Sequence, residues 1–591
     1  NHTHSYPHCW RCDTTLFYNA IPAWFINIRQ IKEKLLKSNS AEINWYPGHL
    51  KHGRYEKSVE AAPDWNISRN RYWGNPIPVW RCKQCGKDTV VGSIEELQEK
   101  AVNFDVILRP KAEESQIRSF ASAQDDRLID LHRPYIDEVI LKCRHCGGDA
   151  KRITEIFDSW FEAASMPFAS VHYPFTPPLS PPHEGGRGGG VESEKFVFPA
   201  QFVAEYIAQT RAWFYVMHVM SLILFGRAPF ENVVTTGTIL NEKGDKLSKS
   251  RKNFPDPRDI INKYGVDSLR FYLMNSVVMQ ADNLFFSERD LQTVYRKTTL
   301  ILWNVYNYFV TYANQAGFSP PHEEGKGEVA VAQSSMTPSS SPSRWGEKIL
   351  DQWILTRVQE LINNVTEFLD SYDTVRATRA VETYISDLST WYLRRSRGRD
   401  DQSFFGTLHY CLVELSKIIA PFMPYVAEAI YGNLTPALSL SRRGKGEVES
   451  VHLTDWPKTQ KLTKQQTDLL KQMSEIRKIA EEVHALRAKA GLKLRQPLQK
   501  LKVKSEKLKI KELLNILKDE VNVLEVEFGD KLELDTKITP ALKVQGLARE
   551  LERQIQQFRK ESGLKIGETV DLYYSADSAI IRKAMERVDR K

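Results

Sequence analysis

The chain has 591 residues, 41% of them hydrophobic and 26% charged. This excludes a disordered or low-complexity polymer and, at roughly 100–200 residues per domain, implies about three to five domains. The most apolar stretch, 216–225, is shorter than the roughly 18 residues a membrane-crossing helix needs, so no membrane role is expected. A net charge of +8 suits a polyanionic partner but equally an ordinary basic protein.

The first residues, with His2, His4, His8 and Cys9, lack the composition of a secretory leader, and no Met begins the chain. The sequence therefore reads as part of a longer protein. Short β-rich runs are predicted at 75–80, 196–198 and 232–240, and a helix over 202–224. After about residue 290 the pattern turns helical. Leu350, Ile354, Val358, Leu361, Val365 and Phe368 recur at three- and four-residue steps, which predicts one face of a long amphipathic helix. Similar periods predict helices over 380–391, 408–430, 469–486 and 547–558. Alternation predicts strands at Leu501 and Val503, at Leu524, Val526 and Phe528, and at Val570, Leu572 and Tyr574. The expected architecture is α/β first, all-α next, and a small α+β module last.

Four stretches interrupt this order: 111–127, 175–194, 319–343 and 435–450. The last three share wording, SPPHEGGRG from Ser180, SPPHEEGKG from Ser319 and RRGKGEVES from Arg442. Such segments bury too little apolar surface to offset the entropy of ordering. They read as surface-loop insertions, with Pro-rich docking motifs as the alternative.

Six of the seven cysteines fall in C-x-x-C pairs. Cys82/Cys85 and Cys143/Cys146 are each followed by glycine, Gly86 and Gly147. Two such knuckles can complete a tetrahedral four-thiolate zinc site, which leaves no open position for catalysis and so is structural. A pair of reduced redox knuckles is the alternative. Cys9 and Cys12 form a third knuckle with no matching pair in the sequence. It either binds metal with cysteines from elsewhere or is a spare pair of thiols. Cys411 lies in an apolar helical stretch and reads as a small core residue.

At 244–253 the sequence is GDKLSKSRKN. Lysine heads, hydroxyls and backbone N–H groups crowded behind a glycine can close on a triphosphate, although a basic Ser/Lys run is often a solvated loop. KLSKS resembles the KMSKS signature of class I aminoacyl-tRNA synthetases, with Leu247 in place of Met. GTILNEKGDKLSKS from Gly237 and FPDPRDIINKYGVDSLRFYL from Phe254 resemble the segments flanking that loop. HSYPHCWRCDTTLFYNAIPAWF from His4, WNISRNRYWGNPIPVWRC from Trp65, DSWFEAASMPFA from Asp158 and FVAEYIAQTRAWFY from Phe202 are similar to the isoleucyl branch. So are VHLTDWP from Val451 and ALRAKAGLKLRQPL from Ala485.

The resemblance implies the second part of a Rossmann-type catalytic domain with a zinc-ribbon insertion, a helical-bundle anticodon-binding domain, and an α+β module. The implied boundaries are 1–22 for the end of an editing domain and 23–80 for the return into the catalytic fold. The zinc-ribbon-like insertion is 81–152, the second catalytic half 153–290, the anticodon-binding domain 291–455 and the C-terminal module 456–591. No HIGH-type motif occurs; GHLKHGR at Gly48 follows the editing segment instead. The chain is therefore expected to lack the first half of the ATP site and most of the editing domain, and to be inactive alone. The implied reaction ligates isoleucine to tRNA(Ile) with ATP and Mg²⁺, in a cytoplasmic monomer with structural Zn²⁺. A valyl or leucyl enzyme and a non-catalytic tRNA-binding remnant are the alternatives.

Residue by residue, Lys246 and Lys249 match the lysines that stabilise the triphosphate. Ser248 and Ser250 join them in binding ATP. Glu205 and Gln209 match residues that hold the aminoacyl-adenylate, and Trp160 and Trp213 match walls of the side-chain pocket. Tyr206 and Ala212 stand where many relatives carry glycine. Glu205, Gln209 and Trp213 are spaced i, i+4, i+8, which on a helix puts them on one face. In STWYLRRSRGR, Trp391, Arg394, Arg395 and Arg397 fit RNA, since guanidinium groups contact phosphates and aromatic planes stack on unpaired bases. The alternative is a basic helix end whose aromatics belong to the bundle core. The Lys-rich stretch 500–511 and the segment 549–560 are further candidates for RNA contact.

Overall fold

A computed structural model describes residues 6–9, 12–17, 19–110, 127–171, 173–174, 198–247, 253–318, 346, 348–435, 450–504, 508, 511–564 and 568–588. Insertions 175–194 and 319–343, and nearly all of 111–127 and 435–450, lie outside these residues. The chain divides into two compact units. One comprises 1–246 with 277–285, the other 247–276 with 286–591. The expected catalytic segment 153–290 thus contributes to both.

The first unit is organised by a three-stranded parallel sheet in the order Ala200–Tyr206, Phe230–Thr236, Asn44–Tyr46. Parallel strands need a crossover, and helix Trp213–Phe225 supplies it. Its sequence, WFYVMHVMSLILF, is apolar on nearly every side, as a buried crossover helix requires, and Gly226 closes it at φ 70°. Phe214, Val219, Phe230 and Val233 pack with Ile28, Leu35, Trp45 and Tyr55 into one core. Each large side chain buried there contributes roughly 1.5–3 kcal/mol. One polar chain crosses this core. His218 accepts or donates at Nδ1 to Tyr55 Oη (2.8 Å) and at Nε2 to Ser38 Oγ (3.1 Å). Burial pulls the His218 pKa down to about 3, so the ring is neutral.

This sheet corrects one expectation. The predicted helix over 202–224 is a strand, a 3₁₀ turn and a helix in succession: Ala200–Tyr206, Ile207–Arg211 and Trp213–Phe225. A continuous apolar run fits a strand as well as a helix, and the parallel ladder to Phe230–Thr236 decides it. Glu205, Gln209 and Trp213 therefore do not share a helix face.

A second sheet in this unit is antiparallel, in the order Asp88–Val90, Val79–Cys82, Asp149–Arg152, Ile140–Lys142. It consists of two hairpins, with Cys82 in register with Ala150. Trp80, buried behind it, donates its indole N–H to Val139 O at 2.9 Å.

The second unit is mainly helical. Pro257–Tyr264, Val266–Met274, Glu288–Lys297 and Thr299–Gln315 come first; Ile349–Asp370, Thr374–Ser386, Gln402–Ile419 and Pro424–Leu434 follow. The single period predicted over 408–430 is broken at Pro421 and Pro424, where the backbone cannot continue its ladder. Helix Thr374–Ser386 runs on into a π-helical turn, Asp387–Leu393. Cys411 is fully buried, and burial pushes its thiol up to about 12, as suits a core residue.

Helix Lys464–Lys489 opens with a capping box between Thr463 and Gln466. Strands Leu498–Val503 and Val523–Phe528 pair in parallel across helix Lys511–Val521, and Glu533–Leu534 pairs antiparallel. Helix Pro540–Glu561 follows. One apolar core runs from Leu302 through Phe404 and Met473 to Val523, so the packing continues across residue 455. The strand predicted at Val570, Leu572 and Tyr574 is exposed chain with no ladder partner among the described residues. Alternation makes a strand only where a neighbour supplies hydrogen bonds.

Candidate functional site

In open parallel sheets, ligands bind outside the carboxyl ends of the strands. Glu205 sits at that end of Ala200–Tyr206, in register with Thr235, while Tyr46 ends the strand on the far side. Glu205 is exposed, and its Oε2 accepts only the adjacent Tyr206 N–H among the hydrogen bonds described (2.9 Å). Gln209 lies in the turn beyond. Its Oε1 accepts the Trp213 N–H (3.0 Å), which ties the turn to the start of the crossover helix and leaves the amide NH₂ as a donor. Trp213 is half-buried, and its indole N–H reaches Ala163 O (3.4 Å) on helix Ser159–Ala169. Trp160, on that same helix, is 41% exposed. So the strand end, the turn and the start of the crossover helix supply a carboxylate, an amide and one indole to the carboxyl end of the sheet, though not along one face, and Trp160 lies on the adjoining helix that Trp213 contacts.

The strand Phe230–Thr236 leads to the basic loop through Gly237. A Cβ there would lie 1.8 Å from Asp282 O, so only glycine fits. Beyond it, Leu240 bridges to Lys246 around a tight turn. Asn241 Oδ1 accepts from Lys243 N (3.0 Å) and Asp245 N (2.8 Å), and Gly244 takes φ 87°. Lys246 is thereby fixed at the mouth of the loop. Ser248, Lys249 and Ser250 lie outside the described residues.

Cys82, Cys85, Cys143 and Cys146 converge, with their four sulfurs within 4.8 Å of one another. Each pair occupies the turn of one hairpin. Gly86 N donates to Cys82 O (3.0 Å) and Gly147 N to Cys143 O (2.9 Å), with the two glycines at φ 70° and 73°. Backbone N–H groups of Cys85 and Gln84 aim at the Cys82 sulfur and draw its pKa down to about 6. At Cys146 the Gly148 N–H favours the thiolate, but the neighbouring thiols and burial outweigh it and raise the pKa to about 12. Four sulfurs this close could ionise together only around a cation, and the donor set fits zinc. Cys9 and Cys12 form a similar turn, Cys9 N to Thr14 O at 2.8 Å, with Cys12 Sγ 3.2 Å from Thr14 Oγ1. That pair joins no metal-sized cluster among the described residues.

The basic run is less open than its sequence suggests. Tyr392 is fully buried, its Oη donating to Asp351 Oδ1 (2.8 Å). Arg399 donates to both oxygens of Asp351 and both of Asp401. Arg394 is half-exposed and grips both oxygens of Glu520 (2.8 and 2.6 Å). Arg395 is 11% exposed, bound to Glu520 (2.8 Å) and near Asp519 (3.6 Å). Arg397 is exposed. Trp391 is half-buried in the π-helical turn, with the Arg477 guanidinium 5.4 Å from its ring centroid. Sequence reasoning missed Arg477, His484 and Glu520, which meet this run from other helices. The available signal was the stripe Ser474, Arg477, Lys478, Glu481 at i, i+3, i+4, i+7.

Residues 13–285 match the family of tRNA synthetases class I (I, L, M and V), and residues 351–503 match the anticodon-binding domain of tRNA ligases. Among curated relatives, the isoleucine–tRNA ligase of Dehalococcoides mccartyi is 35% identical over the whole of this chain and 56% of its own length. Those of Treponema denticola and Thermus thermophilus are each 38% identical over 84% of this chain, covering 41% and 43% of their lengths. The chain spans about half the length of the curated relatives it matches. It belongs to the class I tRNA synthetases, with a segment that matches their catalytic family followed by one that matches the anticodon-binding domain of tRNA ligases.

Proposed function

We propose that the complete protein to which this chain belongs activates isoleucine with ATP and transfers it to tRNA(Ile). The observation that carries this reading is whole-chain likeness to isoleucine–tRNA ligases, joined to a carboxylate, an amide and an indole at the carboxyl end of a parallel sheet. In the reaction, the isoleucine carboxylate oxygen attacks the α-phosphorus of ATP, the bond to the β-phosphate breaks, and pyrophosphate leaves. The adenylate is then attacked by a ribose hydroxyl at the tRNA 3′ end, and AMP departs.

Glu205 and Gln209 hold the amino acid and adenylate, the exposed carboxylate facing the ammonium and the Gln209 NH₂ donating. Trp160 and Trp213 form the apolar wall. Lys246, Ser248, Lys249 and Ser250 meet the charge that develops on departing pyrophosphate, where a fixed cation helps most. Mg²⁺ accompanies ATP as its usual counter-ion. Zn²⁺ at Cys82, Cys85, Cys143 and Cys146 holds two hairpins together and takes no part in the chemistry. Arg394, Arg397 and Trp391 belong to the tRNA surface; Arg395 supports them by anchoring Glu520. The protein acts as a cytoplasmic monomer.

Amino-acid-dependent exchange of pyrophosphate into ATP, measured on the full gene product, tests this reading. Isoleucine is expected to support the fastest exchange. Valine, one methylene smaller, should trail by roughly 10- to 200-fold. Fastest exchange with valine or leucine would reassign the substrate. No exchange with any amino acid would favour a tRNA-binding protein without catalysis.

A further inference from the structure

Strand Phe230–Thr236 runs through the middle of the parallel sheet, and near its carboxyl end it carries a polar group that the fold does not use. Thr235 is fully buried, yet its Oγ1 has no hydrogen-bond partner. Buried polar side-chain atoms are nearly always paired, so an unpaired one marks a place where a partner is missing. Valine has the same branched shape without the hydroxyl and suits a strand equally well, so packing does not call for a threonine here.

The position of Thr235 supplies a reason for the hydroxyl. Thr235 is in register with Glu205 on the neighbouring strand. Residues in register point to the same face of a sheet, on strands about 4.8 Å apart. Two residues earlier on each strand, Val203 and Val233 are also in register and turn toward the core that holds Phe214 of the crossover helix. Thr235 and Glu205 continue that face to the end of the sheet. On the other side, the third strand stops at Tyr46, opposite Val234 and one residue short of Thr235. Glu205 is thus the ladder neighbour within reach of the hydroxyl. Its own carboxylate is held by one described bond, from the adjacent Tyr206 N–H to Oε2, and no described bond fixes Oε1. A hydroxyl can donate to one carboxylate oxygen and leave the other for a cation, and such a charge-assisted bond is a strong one.

We propose that Thr235 is a positioning residue for amino-acid binding: its hydroxyl donates to the Glu205 carboxylate when the substrate ammonium is bound, and so holds that carboxylate at the strand end. The proposal rests on the reading above, in which Glu205 meets the ammonium, and adds the residue that orients it. Enclosed as it is, Thr235 acts through Glu205 and does not touch the substrate.

The test measures isoleucine-dependent pyrophosphate exchange and thermal melting of the full gene product. Thr235→Val removes the hydroxyl and keeps the shape. Its melting temperature should match or exceed that of the parent, since the lost hydroxyl has no partner in the fold. Its KM for isoleucine should rise roughly tenfold, as for loss of one hydrogen bond to a charged group, with kcat within about threefold and KM for ATP unchanged. Thr235→Ser keeps the hydroxyl and should return KM for isoleucine to within about threefold of the parent. Inhibition by the amino alcohol of isoleucine, which keeps the ammonium and lacks the carboxylate, should weaken in Thr235→Val by the same factor as isoleucine. Unchanged KM for isoleucine in Thr235→Val, an equal rise in Thr235→Ser, or undiminished inhibition by the amino alcohol would overturn the positioning role while the ligase reading stands. A lower melting temperature in Thr235→Val would overturn it too, by showing that the hydroxyl is spent within the fold. Absence of isoleucine-dependent exchange in the parent protein would overturn both.

Discussion

Two regions dense in reactive side chains are handled in opposite ways. In the antiparallel sheet, two hairpins bring the sulfurs of Cys82, Cys85, Cys143 and Cys146 within 4.8 Å of one another, with Cys82 paired to Cys146 and Cys85 to Cys143. In the helical unit, Arg394, Arg395 and Arg399 are mostly consumed by Glu520, Asp351 and Asp401. A thiol pair in a tight turn has few ways to be satisfied except by metal or by its twin. A guanidinium has five donors and a long stem, so the fold readily recruits it to neutralise a carboxylate. Spacing is therefore a better guide to chemistry for the cysteines than composition is for the arginines.

Each side of that contrast can be broken. The largest effect is expected at the thiols. Structural zinc contributes about 10–16 kcal/mol of apparent binding energy in small domains. Replacing Cys143 and Cys146 with Ser should abolish bound zinc, from about one ion per chain, and expose 79–152 to protease. Zinc content by elemental analysis, with limited proteolysis, checks this; a parent protein free of zinc would remove the thiol half of the comparison. Next comes the buried carboxylate Asp351, which accepts from Tyr392 and Arg399. Asp351→Ala leaves Arg399 with only Asp401 and should cost about 3–5 kcal/mol, read as a lower urea midpoint.

Smaller again is the pH response of Glu520. Burial pushes its carboxyl up, but hydrogen bonds and charge from Arg394 and Arg395 more than offset this and hold it below its ordinary 4.5. A depressed carboxyl stabilises the fold above its unfolded value and loses that contribution as pH falls through the lowered one. Acid titration of stability should therefore show a steeper fall below pH 4.5 in the parent protein than in Glu520→Gln. Equal slopes would mean the arginines are not committed to Glu520. The smallest effect is Gln209→Ala, which removes the bond to Trp213 N–H and should cost about 1 kcal/mol, a shift of a few degrees at most in the melting curve.

These differences also show what was readable beforehand. The long amphipathic helices were, because 3.6-residue spacing on Ile349–Asp370 reflects one buried face. The two knuckles were, because ligand spacing within a turn is local. The strand at Glu205 was not: the apolar run around it has no period, and its ladder partner lies thirty residues downstream. The fate of Arg394 was not, because Glu520 sits 126 residues away in sequence. The candidate roles of Lys246, Glu205, Gln209, Trp160 and Trp213 came from resemblance, and the fold adds the sheet edge and turn that position those it describes.

On the proposed reading, the basic loop serves the departing pyrophosphate and not the RNA. Lys249→Ala in the full gene product tests it most directly, with isoleucine-dependent pyrophosphate exchange and tRNA binding measured side by side. Exchange is expected to fall on the order of a hundredfold or more, as for loss of a transition-state contact, with tRNA affinity within about twofold. Unchanged exchange, or a loss of tRNA affinity as large as the loss of exchange, would contradict it.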